Sequence, residues 1–258
     1  MKLHQHTNLL YHRPHTRHTT SHFTPQATQL KLQQENMPIL QHIAFLNTKR
    51  IILASQSPRR KAILNQLGLT TFTIRPSETE ETNPLDKSDN KFLNREAEFA
   101  IETARHKAVD VWNSSTEEHP DLVVAADTVV VSEEKEILGK PKSHQDAFEM
   151  LQKLQGTTMS VVTGCALCYK TKEDTTFQEF ATHTFSVAAT VHFQELTDAE
   201  IMAYVATGEP MGKAGSYGIQ GIGGALIKGI EGDYYSVMGF PLNRFCQEMK
   251  KIVLPEWL

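Results

Sequence analysis

The chain contains 258 residues, 40% of them hydrophobic, which is enough for one large α/β domain or two small ones. Its formal net charge of -4 argues against a general nucleic-acid-binding surface, and no apolar run is long enough to span a bilayer. We therefore expect neither a nucleic-acid partner nor a membrane contact. The three cysteines, Cys165, Cys168 and Cys246, make no disulfide framework and favour a reducing, cytoplasmic location.

The first 47 residues differ in composition from the remainder. They hold seven of the twelve histidines and a single acidic residue, Glu35. We predict that residues 1–47 form a low-complexity, mostly disordered extension rich in His and Thr, with a short helix near 38–46, and that residues 48–258 form the functional domain. Translation from Met37, a histidine-rich metal tract and an organellar targeting peptide are alternative interpretations of the extension.

The first apolar run, residues 50–54, has the length of a strand and leads into Ser55-Gln-Ser-Pro-Arg-Arg60. The Ser-Pro pair within this sequence is typical of the start of a helix, which we expect to end at Gly68. Arg59 and Arg60 would then lie at a strand-to-helix turn, where unpaired backbone N–H groups also attract anions. The pattern indicates a phosphate-binding turn.

A second strand is predicted at residues 72–74, and an acidic loop containing Glu80 follows it. A long helix is then expected from about 92 to 112. This helix carries Lys107 among several other charged side chains. A solvated helix face would explain that lysine as well as a functional role would.

Residues 122–126 predict a buried strand, because they show no polar alternation. The sequence Ala125-Ala-Asp-Thr128 would end this strand with one carboxylate, Asp127, and one hydroxyl. Sheets of α/β proteins place ligand-binding groups at strand ends, so Asp127 is a candidate functional residue. An aspartate that caps a turn would show the same local pattern.

The rest of the chain combines hairpins and helices. Strands that alternate with helices early and pair as hairpins later indicate an α/β protein with a mixed sheet. The expected elements are a hairpin of 129–131 with 137–138, a helix over 144–154, and strands at about 159–170 and 176–193. The sequence Thr197-Asp-Ala-Glu200 then predicts the start of a helix that leads to Tyr204 and is closed by Gly208, and a last helix is expected from about 241 to 253.

Cys165 and Cys168 form a C-x-x-C pattern inside one predicted strand. Positions three apart on a strand face opposite sides, so the two sulfur atoms should diverge. No second Cys/His pair completes a zinc site. We therefore interpret both cysteines as small buried side chains.

The common phosphate-binding loops are not matched. The run Gly208 to Ala214 lacks the Ser/Thr and the preceding strand of a P-loop, and Gly218 to Gly224 lacks the glycine order of a dinucleotide site. The chain contains no G-x-S-x-G sequence, and this argues against a serine hydrolase of the α/β type. Lys213 and the glycine-rich turn after it nevertheless supply positive charge and flexible backbone, which phosphate-ester chemistry requires.

Together these motifs resemble the Maf (septum-formation-inhibitor-like) family of nucleoside triphosphate pyrophosphatases. The resemblance extends from about Arg50 to Phe245, and it is specific because six motifs follow one another in the family's order. The motifs are Ala54-Ser-Gln-Ser-Pro-Arg-Arg60, Ala125-Ala-Asp-Thr128, Gly139-Lys-Pro141, Thr207-Gly-Glu-Pro210, Lys213-Ala-Gly-Ser-Tyr-Gly-Ile-Gln-Gly221 and Gly239-Phe-Pro241.

The resemblance implies an elongated mixed β-sheet flanked by helices, with two lobes and a central cleft, akin to inosine triphosphatases. It implies attack of water on the α-phosphorus of dTTP or UTP, release of pyrophosphate, Mg²⁺ or Mn²⁺ as cofactor, and a homodimer. Two alternatives stay open: a 7-methyl-GTP-type pyrophosphatase, and a nucleotide-binding regulator of cell division that does not hydrolyse its ligand.

The resemblance also implies a role for individual residues. Asp127 would be the general base and a metal contact, and Glu80 the second metal ligand. Catalytic neutralisation of the triphosphate and the leaving pyrophosphate would fall to Arg60, Lys107 and Lys140. A glutamine amide both donates and accepts, which matches the O4 and N3–H groups of uracil or thymine. The residues for substrate binding and base selection would be Ser55, Arg59, Thr128, Lys213 and Gln220.

Overall fold

The computed structural model describes residues 39–78, 95–115, 117, 120–173 and 179–258 of the protein. The strands in these residues are β1 (Ile51–Leu53), β2 (Thr73–Ile74), β3 (Leu122–Val131), β4 (Ile137–Leu138), β5 (Thr158–Tyr169), β6 (Ala181–Phe193) and β7 (Ile227–Gly232). The α-helices are α1 (Ile43–Leu46), α2 (Pro58–Leu67), α3 (Glu96–Ser114), α4 (His144–Leu154), α5 (Asp198–Ala206), α6 (Tyr234–Met238), α7 (Leu242–Glu248) and α8 (Leu254–Trp257).

All of these strands belong to one seven-stranded sheet with the order β2-β1-β3-β5-β6-β7, and β4 pairs with β3 outside that path. β1 is parallel to β2 and to β3, whereas the remaining pairs are antiparallel. The parallel pairs are those connected through helices, and the antiparallel pairs include the hairpins, as chain connectivity requires. The predicted α/β fold with a mixed sheet and flanking helices is therefore confirmed.

β3 differs from its prediction in a way that matters for the site. The expected strand at 122–126 and the expected hairpin arm at 129–131 are one continuous strand of ten residues. Its ladder with β5 runs without interruption through Asp127, opposite Gly164, and Thr128, opposite Thr163. The expectation that Asp127 ends a strand is thus wrong, because pairing with β5 continues the strand through two polar residues.

The other edge of β3 explains how a mid-strand aspartate can still be reached. β1 pairs only with residues 122–124 of β3, and β4 pairs only with residues 130 and 131. Between them, the edge of β3 has no strand partner among the described residues. This gap in the sheet opens a cleft at Asp127 and Thr128.

The hydrophobic core divides on either side of this gap. One cluster contains Leu53 and Val124, and a second contains Val130 and Leu151. The cleft therefore lies between two parts of the core that share one sheet. Cys165 belongs to the first cluster and Cys168 to a third cluster on the opposite face of the sheet, so the two sulfurs do diverge.

Helix α3 packs unusually close to the sheet. Gly164 of β5 faces it, and a Cβ atom at this glycine would lie 2.4 Å from the carbonyl carbon of Ala100 and 2.4 Å from the nitrogen of Ile101. Ala104 and Ala108, also small, are fully buried on the same helix. Small side chains on both partners therefore let α3 approach the strand that neighbours β3, and α3 carries Lys107.

The chain termini of the described region show further differences. The short helix expected near 38–46 is a 3-10 turn at Ile39–His42 followed by α1, and Leu46 is fully buried. Residues 1–38 lie outside the described residues, so the predicted disorder and the division at residue 47 stay predictions.

β7 and α6 were not predicted. β7 has the sequence Ile-Lys-Gly-Ile-Glu-Gly, in which glycines and charges mask the strand pattern. The expected last helix at 241–253 is divided into α7 and a π-helical turn at Met249–Val253.

No helix in the described part of the chain is long and apolar enough to cross a membrane.

Candidate active site

The cleft at the gap in β3 has a volume of about 480 Å³ and is lined by residues from motifs far apart in the chain. Among the described residues that line it, five are cationic and Asp127 is the one carboxylate. Seven of the residues selected from the sequence meet here: Arg59, Arg60, Lys107, Asp127, Thr128, Lys140 and Lys213.

Asp127 is held by an ion pair across the sheet–helix interface. Lys107 Nζ donates to Asp127 Oδ1 at 2.8 Å, and the two side chains are 6% and 17% exposed. Lys107 therefore does not belong to a solvated helix face. A charge pair this secluded from water is oriented much more firmly than a surface pair, and the small exposure of Asp127 is toward the cleft.

Asp127 and Thr128 point to opposite faces of the sheet because they are neighbours in one strand. Asp127 contacts α3 through Lys107, whereas Thr128 Oγ1 accepts from Arg60 Nη2 of α2 at 3.3 Å. Both line the same cleft only because the sheet has no strand at this edge, within the part of the chain that the structure describes. The cleft thus joins the two faces of the sheet.

Arg60 is buried and joins three segments of the wall. Its Nε donates to the carbonyl oxygen of Gly239 at 2.9 Å, and its Nη1 donates to Ser55 Oγ at 2.8 Å, in addition to the Thr128 contact. The planar guanidinium can make these three contacts at once, which an ammonium group could not do in the same geometry. Ser55 therefore acts on the cleft through Arg60, and Ser55 does not itself line it.

Arg59 and Lys213 are cations that lie in an unfavourable environment. Burial lowers the pKa of Arg59, and the charge of Arg60 lowers it further, against the weaker effects of Tyr204 and Glu209. Burial and the charge of Arg59 likewise lower the pKa of Lys213, against the effect of Glu209. An anion bound between these groups would relieve their mutual repulsion, so the cleft is electrostatically suited to a polyanionic ligand.

Lys140 is exposed at the mouth of the cleft, on the segment after β4. The carbonyl oxygen of the preceding residue, Gly139, accepts from the backbone nitrogen of Gly215 at 3.0 Å. This contact brings the Lys140 segment against the segment that carries Lys213. Two segments that each carry a cation of the cleft wall are therefore joined by a backbone hydrogen bond.

Of the selected residues that the structure describes, Ser55 and Gln220 do not line the cleft. Gln220 is exposed and lies outside the lining, although its neighbour Ile219 belongs to it. Glu80 lies outside the described residues. Among the residues that are described, no group of three or more His, Cys, Asp or Glu side chains could hold a metal ion.

Part of the lining is apolar. Val130, Val161, Ile219 and Val237 contribute to it together with the aromatic ring of Tyr217. Ligand pockets with a few placed polar groups and apolar walls are the usual sites of small-molecule binding. A molecule with a charged part and a flat, less polar part matches this division.

Two residues of the recognised motifs make contacts at the cleft that the sequence did not predict. Gly239, with φ of 109°, ends α6 and its carbonyl accepts from Arg60, and the Met238 carbonyl accepts from Arg59 Nε at 3.3 Å. Glu209 accepts from the backbone nitrogens of Ile222 and Gly223 at 2.8 and 3.0 Å. Both Gly239 and Glu209 occur in motifs that were recognised, and that was the available signal.

Comparison with known proteins agrees with the motifs. A "dTTP/UTP pyrophosphatase" of Bacillus cereus (strain ATCC 10987 / NRS 248) is 43% identical over 205 residues, covering 80% of this chain and 91% of that protein. A human "Probable bifunctional dTTP/UTP pyrophosphatase/methyltransferase protein" is 41% identical over 220 residues. The match covers 83% of this chain but only 34% of the human protein, so the chain spans about a third of that relative's length.

A structure of a HAM1 protein from Coxiella burnetii matches 79% of the chain with a TM-score of 0.34 and 15% identity, a likeness too low to support an argument about the fold. The family model described as "Maf-like protein" matches residues 50–252, which contain every described residue of the cleft wall. On this match and on the identity with the bacterial relative, the chain belongs to the Maf-like protein family.

Proposed function

We propose that the protein is a nucleoside triphosphate pyrophosphatase that hydrolyses dTTP and UTP to the monophosphate and pyrophosphate. The names of the bacterial and human relatives support the substrate class. The observation that carries the proposal is the composition of the cleft, in which the carboxylate of Asp127 lies among five cationic side chains. That arrangement provides a base for water and positive charge for a triphosphate in one enclosure.

Asp127 would remove a proton from the attacking water. The oxygen of that water forms a bond to the α-phosphorus, the bond between the α-phosphorus and the bridging oxygen breaks, and pyrophosphate leaves with the bonding electrons. Lys107 holds the carboxylate of Asp127 at 2.8 Å, which keeps it in one orientation. Reaction of a correctly oriented water is favoured because little orientational freedom is left to lose.

The cations would act on the charge that develops during this displacement. Arg59, Arg60, Lys140 and Lys213 surround the cleft and can neutralise the triphosphate and the departing pyrophosphate. Fixed positive charge aimed at developing negative charge is often the main source of rate enhancement in an enzyme. Arg60 is restrained by three hydrogen bonds, so it can provide this charge without reorganising.

A divalent ion, Mg²⁺ or Mn²⁺, would be held by the carboxylate of Asp127 together with the phosphates of the substrate. Mg²⁺ in nucleotide enzymes is usually held by one or two carboxylates together with substrate phosphates and waters, and the cleft offers Asp127. Glu80 is our candidate for a second carboxylate. When bound, the ion would neutralise phosphate charge beside the cationic side chains.

Base selection is proposed for the apolar part of the cleft. Thr128 and the walls formed by Ile219 and Tyr217 would surround the pyrimidine, and Gln220, next to Ile219, would read its O4 and N3–H groups. An assembly as a homodimer and a cytoplasmic location are further proposals that rest on the family resemblance.

A nucleotide panel tests the proposed function. Purified protein is incubated with dTTP, UTP, CTP, GTP and 7-methyl-GTP in Mg²⁺, in Mn²⁺ and in EDTA, and pyrophosphate and phosphate are measured separately. We expect pyrophosphate from dTTP and UTP, dependent on the metal. Preferred cleavage of 7-methyl-GTP would replace the substrate assignment, and binding without turnover in either metal would favour a non-hydrolysing nucleotide-binding protein.

A further inference from the structure

The glycine-rich segment between Tyr217 and Gly223, here called the glycine loop, already has an anion bound to its backbone. Glu209 Oε2 accepts from the nitrogen of Ile222 at 2.8 Å, and Glu209 Oε1 accepts from the nitrogen of Gly223 at 3.0 Å. The Tyr204 hydroxyl donates to the same Oε1 at 3.0 Å and accepts from the nitrogen of Gly218 at 3.2 Å. Three loop nitrogens are thus bound by side chains of the preceding helix and turn.

The positions of the glycines follow from this contact. A Cβ atom at Gly221 would lie 2.3 Å from Glu209 Oε2, and one at Gly223 would lie 2.5 Å from the Tyr204 hydroxyl oxygen. Neither distance is possible for a real Cβ atom. The close approach of the Glu209 carboxylate and the Tyr204 hydroxyl therefore explains why these two positions are glycine. Binding of a phosphate to the backbone of this turn is not required to explain them.

Hydrogen bonds and a nearby cation favour the ionised form of Glu209. Burial alone would raise the pKa of Glu209, but the hydrogen bonds from Gly223, Ile222 and Tyr204 and the nearby charge of Lys213 lower it below its ordinary value. Hydrogen bonds to an ionised acceptor are stronger than those between neutral groups, by roughly a factor of two. Lys213 Nζ also donates to the backbone carbonyl of Glu209. One residue therefore contacts both the glycine loop and a cation of the cleft.

The glycine loop is also part of the cleft wall. Tyr217, Gly218 and Ile219 line the cleft, and the nitrogens that Glu209 and Tyr204 hold belong to Gly218 and to residues three and four positions after Ile219. Tyr217 anchors the start of the loop through an edge-on contact with Phe193, at 5.1 Å between ring centroids. Release of the far end would remove the two hydrogen bonds that hold the backbone just after Ile219.

We propose that Glu209 is a positioning residue that sets the nucleotide-binding wall of the cleft by holding the glycine loop as an internal anion, with Tyr204 as its relay to Gly218. The identity of the substrate in this proposal rests on the proposed function. The contact between Glu209 and the glycine loop is independent of that function. Glu209 itself does not line the cleft and touches no substrate.

Two variants test the proposal, Glu209→Gln and Tyr204→Phe. Glu209→Gln has nearly the same shape but loses the charge and turns an amide donor toward backbone donors. We expect KM for dTTP to rise on the order of tenfold, as the loss of one charged hydrogen bond would produce, with a much smaller change in kcat because Asp127 and Lys107 are untouched. Native-state hydrogen exchange of the peptide containing residues 218–223 should accelerate. Tyr204→Phe should give the same changes to a smaller extent.

The matched control is Glu200→Gln, at the other end of helix α5. Glu200 accepts from the nitrogen of Thr197 in a capping box, so this variant removes a similar contact from the same helix without touching the loop. It should leave KM and the exchange of residues 218–223 unchanged. An equal fall in kcat for every nucleotide with unchanged KM in Glu209→Gln would overturn the proposal, because that pattern reports a smaller folded fraction.

A readout without turnover separates this inference from the proposed function. The dissociation constant of the α,β-imido analogue of dTTP, which resists cleavage at the α-phosphorus, is measured by calorimetry with Mg²⁺ for the unchanged protein and each variant. If the protein releases no pyrophosphate, the proposed function fails, yet weaker binding and faster loop exchange in Glu209→Gln would still support the positioning role. Unchanged binding and unchanged exchange would overturn it whatever the activity.

Discussion

Lys107 Nζ and Asp127 Oδ1 lie 2.8 Å apart, although one residue is on helix α3 and the other is in the middle of strand β3. The contact requires α3 to pack closely on the sheet, and Gly164 makes that approach possible. The strand gap between β1 and β4 then exposes the paired carboxylate to the cleft. Helix packing, ion pair and site are therefore parts of one arrangement.

We expect Asp127→Asn to lower the rate of pyrophosphate release by at least about 100-fold, because general-base catalysis contributes about that much and an amide cannot accept the proton. The assay is single-substrate kinetics with dTTP. Asp121→Asn is the control, since Asp121 accepts from the backbone of Arg50 just before the same strand and is not part of the cleft wall. Full activity in the Asp127 variant would show that another group takes the proton.

The ion pair should show thermodynamic coupling. Lys107→Met leaves the Asp127 carboxylate without its cation, and we expect a loss of about 2 kcal/mol, less than for a fully buried pair because the cleft admits water. The double variant Lys107→Met/Asp127→Asn should regain part of this loss, since no unpaired charge remains. Urea unfolding of the two single variants and the double variant measures the coupling. Strict additivity of the two single effects would argue against a stabilising contact.

The close approach of α3 predicts a severe effect of one methyl group. Gly164→Ala would place a Cβ atom 2.4 Å from the helix backbone, so we expect a loss of about 3 kcal/mol or more in the free energy of unfolding, and lower activity from a displaced Lys107. Gly229→Ala in β7 is the control, because no described atom lies within 4 Å of the position that its Cβ would take and strand glycines gain slightly from replacement. Equal stabilities of the two variants would contradict the packing argument.

The buried thiols predict a fall in stability at alkaline pH. Burial raises the pKa of Cys165 from 9.0 to about 12, with a smaller opposite effect of Arg60. Below pH 9 the thiol is protonated in both states and its contribution is fully present. Above pH 9 the thiol of the unfolded chain ionises first, so the free energy of unfolding falls by about 1.4 kcal/mol per pH unit until the folded pKa is reached.

This dependence can be assigned to Cys165 by difference. Urea unfolding is measured at pH 8 and pH 10 in reducing buffer for the unchanged protein and for Cys165→Ala. The loss between the two values should be smaller by about 1.4 kcal/mol in the variant. Cys168, whose pKa burial raises to about 11, acts in the same direction in both proteins and cancels in the comparison. Identical losses of stability in the two proteins would show that the Cys165 thiol ionises as readily in the folded protein as in the unfolded chain.

Local sequence patterns were sufficient for most elements and for most members of the site. The apolar run before Ser55, the Ser-Pro helix start and the helix start at Thr197 predicted β1, α2 and α5 closely, because each depends on neighbours within a few residues. The motif residues Arg59, Arg60, Asp127, Lys140 and Lys213 do line one cleft. Elements with mixed local signals, such as β7, were missed.

The sequence by itself determined which residue types were available for the chemistry, since periodicity and turn preferences are properties of short segments. Only the tertiary structure decided that Asp127 lies within a strand rather than at its end, because the partner strand β5 continues past it. It also decided that Lys107 is buried against Asp127 and that Glu209 accepts hydrogen bonds from two backbone nitrogens of the glycine loop. Contacts between segments distant along the chain depend on packing, and no local pattern contains that information.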